Sequence, residues 1–357
     1  MFRVICLLTF STICTKILVY DHHIYLIKGM NMIKKLKFYV GNTVNPYHNL
    51  AVEQYLFDNI DNETLILYLW QNQNTVVIGK NQNAFSECRT ELLKNDGGQL
   101  ARRSSGGGAV YHDLGNLNFT FICSTENLNV SKNMQVVREA CSLASIDTVL
   151  SGRNDILAAG KKFSGNAFYN SRGRSYHHGT LLINTDVERL GRYLTPPKAK
   201  LEAKGVKSVR SRVINLCELA PYLTCDIMKG HLIYAAEKVY SLPIEAIDEI
   251  QNNEIATYVE HFGDWKYIYG SPIPFNISCA GRLFFGNAEL ELCVKNGYIT
   301  DLRLYTDALD SEISDTVRNA LISLPFDLSA INDALFKMLD ESYAASLISL
   351  FSDQVFS

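Results

Sequence analysis

A loop with three consecutive glycines constrains what this chain can fold into more than any other segment. It reads Arg102-Arg103-Ser104-Ser105-Gly106-Gly107-Gly108-Ala109-Val110-Tyr111-His112-Asp113. Consecutive glycines cost conformational entropy and offer no side chains to pack, so such a loop is kept where backbone must approach another group or adopt positive φ. Its exposed N–H groups can surround phosphate or carboxylate oxygens, and Arg103 adds a planar fork of donors. The segment therefore predicts an anion-binding loop, although an isolated Gly-Gly-Gly is also typical of a flexible solvated turn.

A polar β-hairpin is predicted between residues 152 and 168. Its strands run from Ile156 to Ala158 and from Lys162 to Phe168, with a turn at Ala159 and Gly160. Strict alternation places three polar side chains on one face of the second strand and two apolar ones on the other. The polar set is Lys162, Ser164 and Asn166, and the apolar set is Phe163 and Ala167. A lone lysine on a strand is usually a solvated edge charge, but Asn154 and Asp155 at the strand entry favour a functional site.

Together with other blocks, these segments resemble lipoate-protein ligases, whose superfamily includes octanoyl transferases, lipoyl transferases and biotin-protein ligases. The blocks are Asn49-Leu50-Ala51-Val52-Glu53, Thr75-Val76-Val77-Ile78-Gly79, the glycine loop, Gly152-Arg153-Asn154-Asp155, Lys161-Lys162-Phe163-Ser164-Gly165, His177-His178-Gly179-Thr180-Leu181-Leu182 and Lys204-Gly205-Val206-Lys207-Ser208-Val209-Arg210-Ser211-Arg212-Val213. They occur in family order from about Lys35 to Asn215, with weaker similarity towards the C-terminus. The ordered set is specific, whereas no single block is.

The resemblance implies a two-step reaction in which lipoate and ATP form lipoyl-adenylate, and the lipoyl group then passes to a lysine of an acceptor domain. Lys162 matches the catalytic lysine that holds the lipoyl carboxylate and the α-phosphate. The implied substrate-binding residues are Arg103, Gly107, Gly108, Ala109, Val110, Tyr111, Asn154, Asp155, Lys162, His178, Gly179 and Lys204, the last in a mobile loop that closes over the adenylate. ATP chemistry implies Mg²⁺, with Asp155 as its candidate contact. The implied acceptors are apo lipoyl domains of 2-oxoacid dehydrogenase E2 subunits or glycine cleavage H protein.

Elementary chemistry agrees with these roles. Attack of a carboxylate on a phosphate brings two anions together, so fixed cations such as Lys162 and Arg103 are needed there. The same lysine can stabilise the oxyanion formed when the acceptor amine attacks the mixed anhydride, so no covalent nucleophile is required. The sequence indicates no Ser-His-Asp or Cys-His arrangement. His177 and His178 are adjacent on a predicted strand and point to opposite faces, which disfavours joint metal chelation; His112 with Asp113 is typical of a turn.

Composition restricts the class of protein and its compartment. The chain has 357 residues, 47% of them hydrophobic, and a net charge of −3, so it can bury two domain cores and is not expected to bind nucleic acid. A basic run comprises Lys198, Lys200, Lys204, Lys207, Arg210 and Arg212. It is either a solvated loop or a segment that attracts polyphosphate or an acidic acceptor. Nine cysteines without a C-x-x-C indicate a reducing compartment, and a cytoplasmic protein is expected.

The first 31 residues predict an extension outside the fold. Val4 to Phe10 is an apolar run, but it is too short to span a membrane, and no membrane association is expected. The extension reflects an upstream start or an organellar presequence, and a presequence would make the protein mitochondrial.

Periodicity predicts an α+β fold with two domains. The family resemblance implies that the large catalytic domain, residues 32–268, is of the biotin/lipoate ligase type, which is similar to class II aminoacyl-tRNA synthetases. Its predicted strands are Lys35 to Val40, Leu65 to Trp70, Thr75 to Ile78 and Leu117 to Ile122, and its predicted helices are Asn49 to Ile60, Ser86 to Asn95, Lys132 to Ala144, Asp186 to Tyr193 and Asp226 to Tyr240. A break at Tyr269 to Pro274 precedes a small α+β accessory domain, residues 275–357. Its predicted strands are Phe275 to Cys279, Leu283 to Phe285, Ala288 to Val294 and Ile299 to Tyr305, and its helices are Ser311 to Ser323 and Leu328 to Leu339.

Three functions remain open from the sequence. The first is an ATP-dependent lipoate-protein ligase, and the second is a lipoyltransferase that uses preformed lipoyl-adenylate and activates lipoate weakly. The third, from another class, is a noncatalytic protein that binds lipoyl-adenylate or an acceptor.

Val77, Phe119 and Phe121 are candidates for the acyl pocket by alternation, but core packing explains them equally well.

Overall fold

A computed structural model describes residues 16–20, 23–27, 33–152, 154–195 and 212–356, the first two segments as backbone alone. Lys204 and the basic run before Arg212 lie outside the described residues, as does most of the predicted extension. Within that extension, strands β1 (Lys16–Tyr20) and β2 (His23–Ile27) pair with each other in an antiparallel hairpin. Across the described part of the chain, none of the helices has the length and apolar character needed to cross a membrane.

An eight-stranded mixed sheet forms the centre of the larger domain. In spatial order it runs β13, β3, β4, β8, β12, β11, β10, β9. The strands are β3 (Lys35–Val40), β4 (Thr64–Trp70), β8 (Asn116–Ser124), β9 (Thr148–Ser151), β10 (Asp155–Ala158), β11 (Lys161–Ser171), β12 (Arg174–Leu182) and β13 (Ile244–Ala246). Strands β4 and β8 are buried at every position, as expected for strands covered on both faces.

Helices cover both faces of this sheet. One face packs on α4 (Val130–Ser142) and α6 (Cys225–Tyr240), and the other on α1 (Pro46–Asn59) and α7 (Asn252–Gly263). Local chemistry fixes the start of α1: the Asn45 side chain accepts hydrogen bonds from the Tyr47 and His48 amides, and Pro46 occupies the first turn. The short helix α5 (Val187–Tyr193) is capped in the same way by Asp186.

A second, three-stranded sheet carries the glycine loop. It consists of β5 (Thr75–Ile78) between β6 (Gln99–Arg102) and β7 (Val110–His112), and the loop joins β6 to β7. Helices α2 (Ala84–Glu87) and α3 (Thr90–Asn95) precede β6, and α8 (Trp265–Tyr269) packs beside it. The Arg102 guanidinium donates to the carbonyls of Tyr267 and Ile268, so this arginine is used to hold α8.

The accessory domain is a three-stranded antiparallel sheet packed on helices. Its elements are β14 (Ile277–Leu283), β15 (Gly286–Lys295), β16 (Tyr298–Thr306), α9 (Ile313–Leu321), α10 (Leu328–Met338) and α11 (Glu341–Gln354). It contacts the larger domain at the glycine loop, where the Gly107 amide donates to the Ala308 carbonyl over 2.7 Å. Lys80 adds ion pairs to Glu312 and Asp315, at 2.9 and 3.0 Å.

The predicted α+β class is confirmed, and the differences lie in individual elements. The two strands predicted from Phe275 to Phe285 are one strand, β14, followed by a tight turn. The helix predicted from Ser86 to Asn95 is two short helices separated by Cys88 and Arg89. Helices α7 and α11 were not predicted, although Ile255, Val259 and Phe262 of α7 recur at helical spacing.

Candidate functional site

A cavity of about 750 Å³ lies between the large sheet and the glycine loop. Its floor is a row of residues that pair with one another across adjacent strands of the large sheet. Trp70 on β4 faces Asn118 on β8, and Asn118 faces Thr180 on β12. The Gly165 amide on β11 donates to Thr180 Oγ1 over 3.4 Å, and Gly165 faces Asp155 on β10. Strands are about 4.8 Å apart, so the three steps from Trp70 to Gly165 span roughly 14 Å.

Lys162 lies at the Gly165 end of this row, and a β-bulge sets its direction. Ile156 pairs with Ser164 but Leu157 pairs with Lys162, which leaves Phe163 as the extra residue. The bulge shifts the alternation, so the predicted faces of β11 were wrong. Phe163 is fully buried in the core on the face covered by α4 and α6, whereas Lys162 lines the cavity. A Cβ placed on Gly165 would lie only 2.8 Å from Lys162 Nζ. Gly165 therefore leaves the space that the lysine occupies.

The ammonium of Lys162 is neutralised by one carboxylate. Lys162 Nζ lies 2.6 Å from Asp155 Oδ1, with the lysine side chain 30% exposed. Asn154, next to Asp155, exchanges hydrogen bonds with Asn166: Asn154 Nδ2 donates to the Asn166 carbonyl and Asn166 Nδ2 donates to the Asn154 carbonyl. Asn154 thus ties the segment just before β10 to β11. In the pair Asp155–Lys162, the ammonium can exchange its carboxylate partner for a more strongly charged anion.

The glycine loop forms the opposite wall of the cavity, and hydrogen bonds from Arg103 hold its backbone in place. Gly107 has φ +91°, a conformation that disfavours any side chain. The Arg103 guanidinium donates to the carbonyls of Val77, Gly106 and Gly108 and to Ser105 Oγ. Burial lowers the pKa of Arg103 to about 10. Most donors of Arg103 are therefore used on carbonyls of the loop and of β5, and its contact with a substrate oxyanion stays a prediction.

A buried chain of hydrogen bonds links the loop to helix α1. His178 Nδ1 lies 2.9 Å from Glu53 Oε1, and its Nε2 lies 2.8 Å from Ser105 Oγ. Thr120 donates to the same Glu53 oxygen over 2.7 Å. The sequence indicated no Ser-His-acid arrangement, yet folding assembles one from residues 53, 105 and 178. Ser105 is fully buried and does not line the cavity, so the arrangement positions the loop and does not expose a nucleophile.

The Trp70 end of the cavity is closed by buried and mainly apolar side chains. Leu50, Trp70 and Val77 line it, each at most 3% exposed, together with His112. The Trp70 and His112 rings meet edge-on with centroids 5.9 Å apart. Of the three acyl-pocket candidates, Val77 lines the cavity, whereas Phe119 and Phe121 belong to the core on the other face of the sheet.

The structure gathers most of the predicted site residues around this cavity. Those that line it are Arg103, Gly107, Gly108, Ala109, Val110, Asn154, Asp155, Lys162, His178 and Gly179. Tyr111 does not, because alternation along β7 turns Val110 and His112 to the cavity and the Tyr111 ring to Tyr193. His177 points to the other face of the sheet, where its Nε2 lies 2.9 Å from Asn166 Oδ1.

Sequence reasoning missed several residues of the cavity. Trp70, Asn118, Thr180 and His112 come from the large-domain strands, and Arg282, Phe285, Asp307 and Leu309 come from the accessory domain. The ends of the predicted strands carried a signal for Trp70 and Asn118. Nothing in the sequence places the accessory domain over the site.

Among the described residues, neither a metal-binding cluster nor a reactive thiol is found. No group of three or more His, Cys, Asp or Glu side chains there is arranged to hold a metal ion. Burial raises the pKa of the Cys88, Cys123 and Cys141 thiols to about 12, which leaves them protonated at neutral pH. The arrangement supports binding of an acyl chain with an anionic end at Lys162.

Comparisons with known proteins agree with this geometry. The sequence model of the "Lipoyl protein ligase A/B catalytic domain" matches residues 45–236, and that of the "Bacterial lipoate protein ligase C-terminus" matches residues 273–349. Among curated relatives, "Lipoate-protein ligase A" of Bdellovibrio bacteriovorus is 38% identical over 317 residues, covering 86% of this chain and 93% of that protein. The protein of the same name from Blochmanniella floridana is 37% identical over 305 residues, covering 83% of this chain and 90% of that protein.

Solved structures similar to this chain include the following two proteins. P. falciparum LipL1 in complex with lipoate has a TM-score of 0.79 and 32% identity, covering 89% of this chain and 100% of that one. A bipartite lipoate protein ligase of Thermoplasma acidophilum, described with its E2 lipoyl domain, has a TM-score of 0.59 and 25% identity, covering 69% and 100%.

Proposed function

The chain belongs to the lipoate-protein ligase family, and from that premise we propose that it activates lipoate with ATP and transfers the lipoyl group to a lysine of an acceptor domain. The observation that carries this proposal is a single cavity with a closed apolar end at Trp70 and a cation, Lys162, at the other. The row between them spans roughly 14 Å, which accommodates a pentanoyl chain with its ring. The lipoate-bound P. falciparum relative supports the same ligand.

In the activation step, a lipoate carboxylate oxygen attacks the α-phosphorus of ATP and pyrophosphate leaves. Lys162 holds the carboxylate and the α-phosphate together and offsets the charge that develops on the phosphoryl oxygens. Asp155 keeps the ammonium over Gly165 before substrate arrives, since the two groups lie 2.6 Å apart. The glycine loop supplies backbone at close range, in a shape held by Arg103.

In the transfer step, the acceptor amine attacks the lipoyl carbonyl carbon, and AMP leaves with the anhydride oxygen. The carbonyl oxygen becomes an oxyanion, and Lys162 is the cation beside it. The amine loses a proton as the amide forms, and this chain forms no covalent intermediate. The buried Ser105 and the protonated thiols are consistent with such a direct transfer.

Mg²⁺ accompanies ATP in this proposal. The ion is usually bound by one or two carboxylates together with phosphate oxygens and water. Asp155 and Asp307 both line the cavity, so the donor set of this chain fits that requirement. Bound there, the ion would neutralise the polyphosphate.

Acceptors of the proposed reaction are lipoyl domains. The Thermoplasma acidophilum relative is described with its E2 lipoyl domain, which supports E2 subunits of 2-oxoacid dehydrogenases as one acceptor class. Glycine cleavage H protein is the second class proposed, because its lysine-bearing domain is implied by the same family resemblance.

The test is incubation of the protein with ATP, Mg²⁺, lipoate and an apo lipoyl domain, followed by intact mass measurement of the acceptor. We expect one lipoyl group on the acceptor and lipoate-dependent release of pyrophosphate. A transferase would modify the acceptor from preformed lipoyl-adenylate yet release no pyrophosphate from ATP. Binding of lipoyl-adenylate without modification of any acceptor would identify a noncatalytic protein and contradict the proposal.

A further inference from the structure

His112 is a buried residue at the closed end of the cavity with an unused hydrogen-bonding atom. It is 3% exposed, and its Nδ1 lies 3.1 Å from Asn72 Nδ2. Its Nε2 is buried and has no hydrogen-bond partner in the described structure. A buried polar atom without a partner costs free energy, so a ligand atom that reaches His112 Nε2 from the cavity would form a hydrogen bond and remove that cost.

The neighbouring amides determine which tautomer His112 adopts. Asn49 Nδ2 donates to the Gln71 carbonyl over 2.8 Å and has the Thr43 carbonyl at 3.2 Å, which fixes the orientation of that amide. The same Nδ2 donates to Asn72 Oδ1 over 2.9 Å, so Asn72 must turn its own NH₂ group to His112. Nδ1 of His112 is then an acceptor, and the proton of the neutral ring is on Nε2.

The ring is neutral in the folded protein. Burial, together with the positive charge of Arg103, lowers the pKa of His112 to about 3. The unused atom is therefore an N–H donor of an uncharged imidazole in an apolar pocket. Such a donor suits a weak, neutral acceptor, whereas a carboxylate would be expected at the cationic end of the cavity.

The position of His112 relates it to the far end of the substrate. Its ring meets Trp70, which begins the row that ends at Gly165 under Lys162. An acyl chain with its carboxyl group at Lys162 thus places its tail near His112. Lipoate ends there in a dithiolane ring, whose sulfur atoms accept hydrogen bonds weakly, and octanoate ends in a methyl group that accepts none.

We propose that His112 is a specificity-determining residue, whose Nε2–H donates a hydrogen bond to a dithiolane sulfur and favours lipoate over acids that lack sulfur. This inference rests on the proposed lipoate-ligase function. When a hydrocarbon tail occupies the pocket, the buried N–H stays unpaired, and sites built around such a donor discriminate against analogues without the acceptor. Because sulfur is a weak acceptor, we expect a preference of about tenfold.

The experiment compares three acids with the intact protein: lipoate, octanoate, and 5-cyclopentylpentanoate, in which a carbocycle replaces the dithiolane. The measured quantity is kcat/KM for modification of an apo lipoyl domain. The wild-type protein is expected to prefer lipoate over the carbocycle by about tenfold, since the two rings are similar in size. In His112→Phe, that ratio is expected to fall to near one.

His177→Phe is the matched control, because His177 is a buried histidine on β12 of the large sheet that faces away from the cavity. Its lipoate-to-carbocycle ratio is expected to remain that of the wild type. An unchanged ratio in His112→Phe would overturn the inference. So would equal use of lipoate and the carbocycle by the wild-type protein, a result that does not depend on the folding of any variant. Failure of the wild-type protein to ligate any of the acids would instead overturn the proposed function.

Discussion

Two cations of the site have different roles because their surroundings differ. Arg103 is 6% exposed and donates to carbonyls of its own loop, so its charge is used to hold backbone in place. Lys162 is 30% exposed, lines the cavity and has the Asp155 carboxylate beside it. A flexible, partly solvated ammonium can move from one anion to another, whereas a guanidinium fixed by several hydrogen bonds cannot. We therefore propose Lys162, and not Arg103, as the catalytic cation.

Lys162→Ala should lower the rate of lipoyl ligation on the order of a hundredfold or more. Removal of one donor that stabilises a developing oxyanion typically raises the barrier by about 2.7 to 4 kcal/mol. Single-turnover transfer from preformed lipoyl-adenylate and steady-state ligation from lipoate and ATP should both be slowed. Lys295→Ala, at an exposed position on β15, is the control and should keep the wild-type rate. Wild-type ligation by the Lys162 variant would remove this residue from the mechanism.

At the scale of elements, the glycine loop depends on the strand beside it. Gly79 follows β5, and a Cβ there would lie 2.2 Å from the Gly107 carbonyl oxygen. Strand β5 therefore approaches the loop more closely than any side chain permits. The bulge in β11 has a comparable effect on the other wall, because it directs Lys162 into the cavity. Both walls of the site are set by backbone geometry.

Gly79→Ala should displace the loop, since the new Cβ would clash with the Gly107 carbonyl, which is backbone and cannot turn aside as a side chain could. We expect kcat/KM for lipoate to fall at least about tenfold, as small displacements of positioning groups are costly in rate, and the melting temperature to fall as well. Gly191→Ala on α5 is the control, because a Cβ there meets nothing within 4 Å. That variant should be stabilised by roughly 0.5 to 1 kcal/mol. Equal activity of the two variants would show that close packing at Gly79 does not position the loop.

At the scale of the whole molecule, buried histidines connect folding to pH. Burial lowers the pKa of His112 and of His177 to about 3 in the folded protein. In the unfolded chain both titrate near 6.5, so between pH 6.5 and 3 the unfolded state binds more protons than the folded state. The free energy of unfolding must therefore fall as pH decreases through this window. The contribution of the two histidines to stability is fully present above pH 6.5 and is lost as the pH falls towards 3.

Urea unfolding at pH 7.5 and 5.5 measures this dependence. Each histidine should lower the free energy of unfolding by roughly 1 kcal/mol at the lower pH. His177→Gln should reduce the difference between the two pH values, even if it lowers stability at both. Ser164→Ala removes a buried hydroxyl without removing a histidine and should keep the wild-type difference. A His177→Gln protein with the full wild-type difference would contradict this account.

The sequence by itself determined the α+β class, most strand and helix positions, the glycine loop and the cationic hairpin. These features are local: apolar periodicity, capping residues such as Asn45 and turn glycines act over a few residues, so each can be recognised in a short window. The tertiary structure alone decided the direction of Lys162, the use of Arg103 on its own loop and the position of His112 at the closed end. It also decided the Glu53–His178–Ser105 chain and the contact of the accessory domain with Gly107. These depend on strand register and on contacts between distant segments, which are fixed when the whole chain packs.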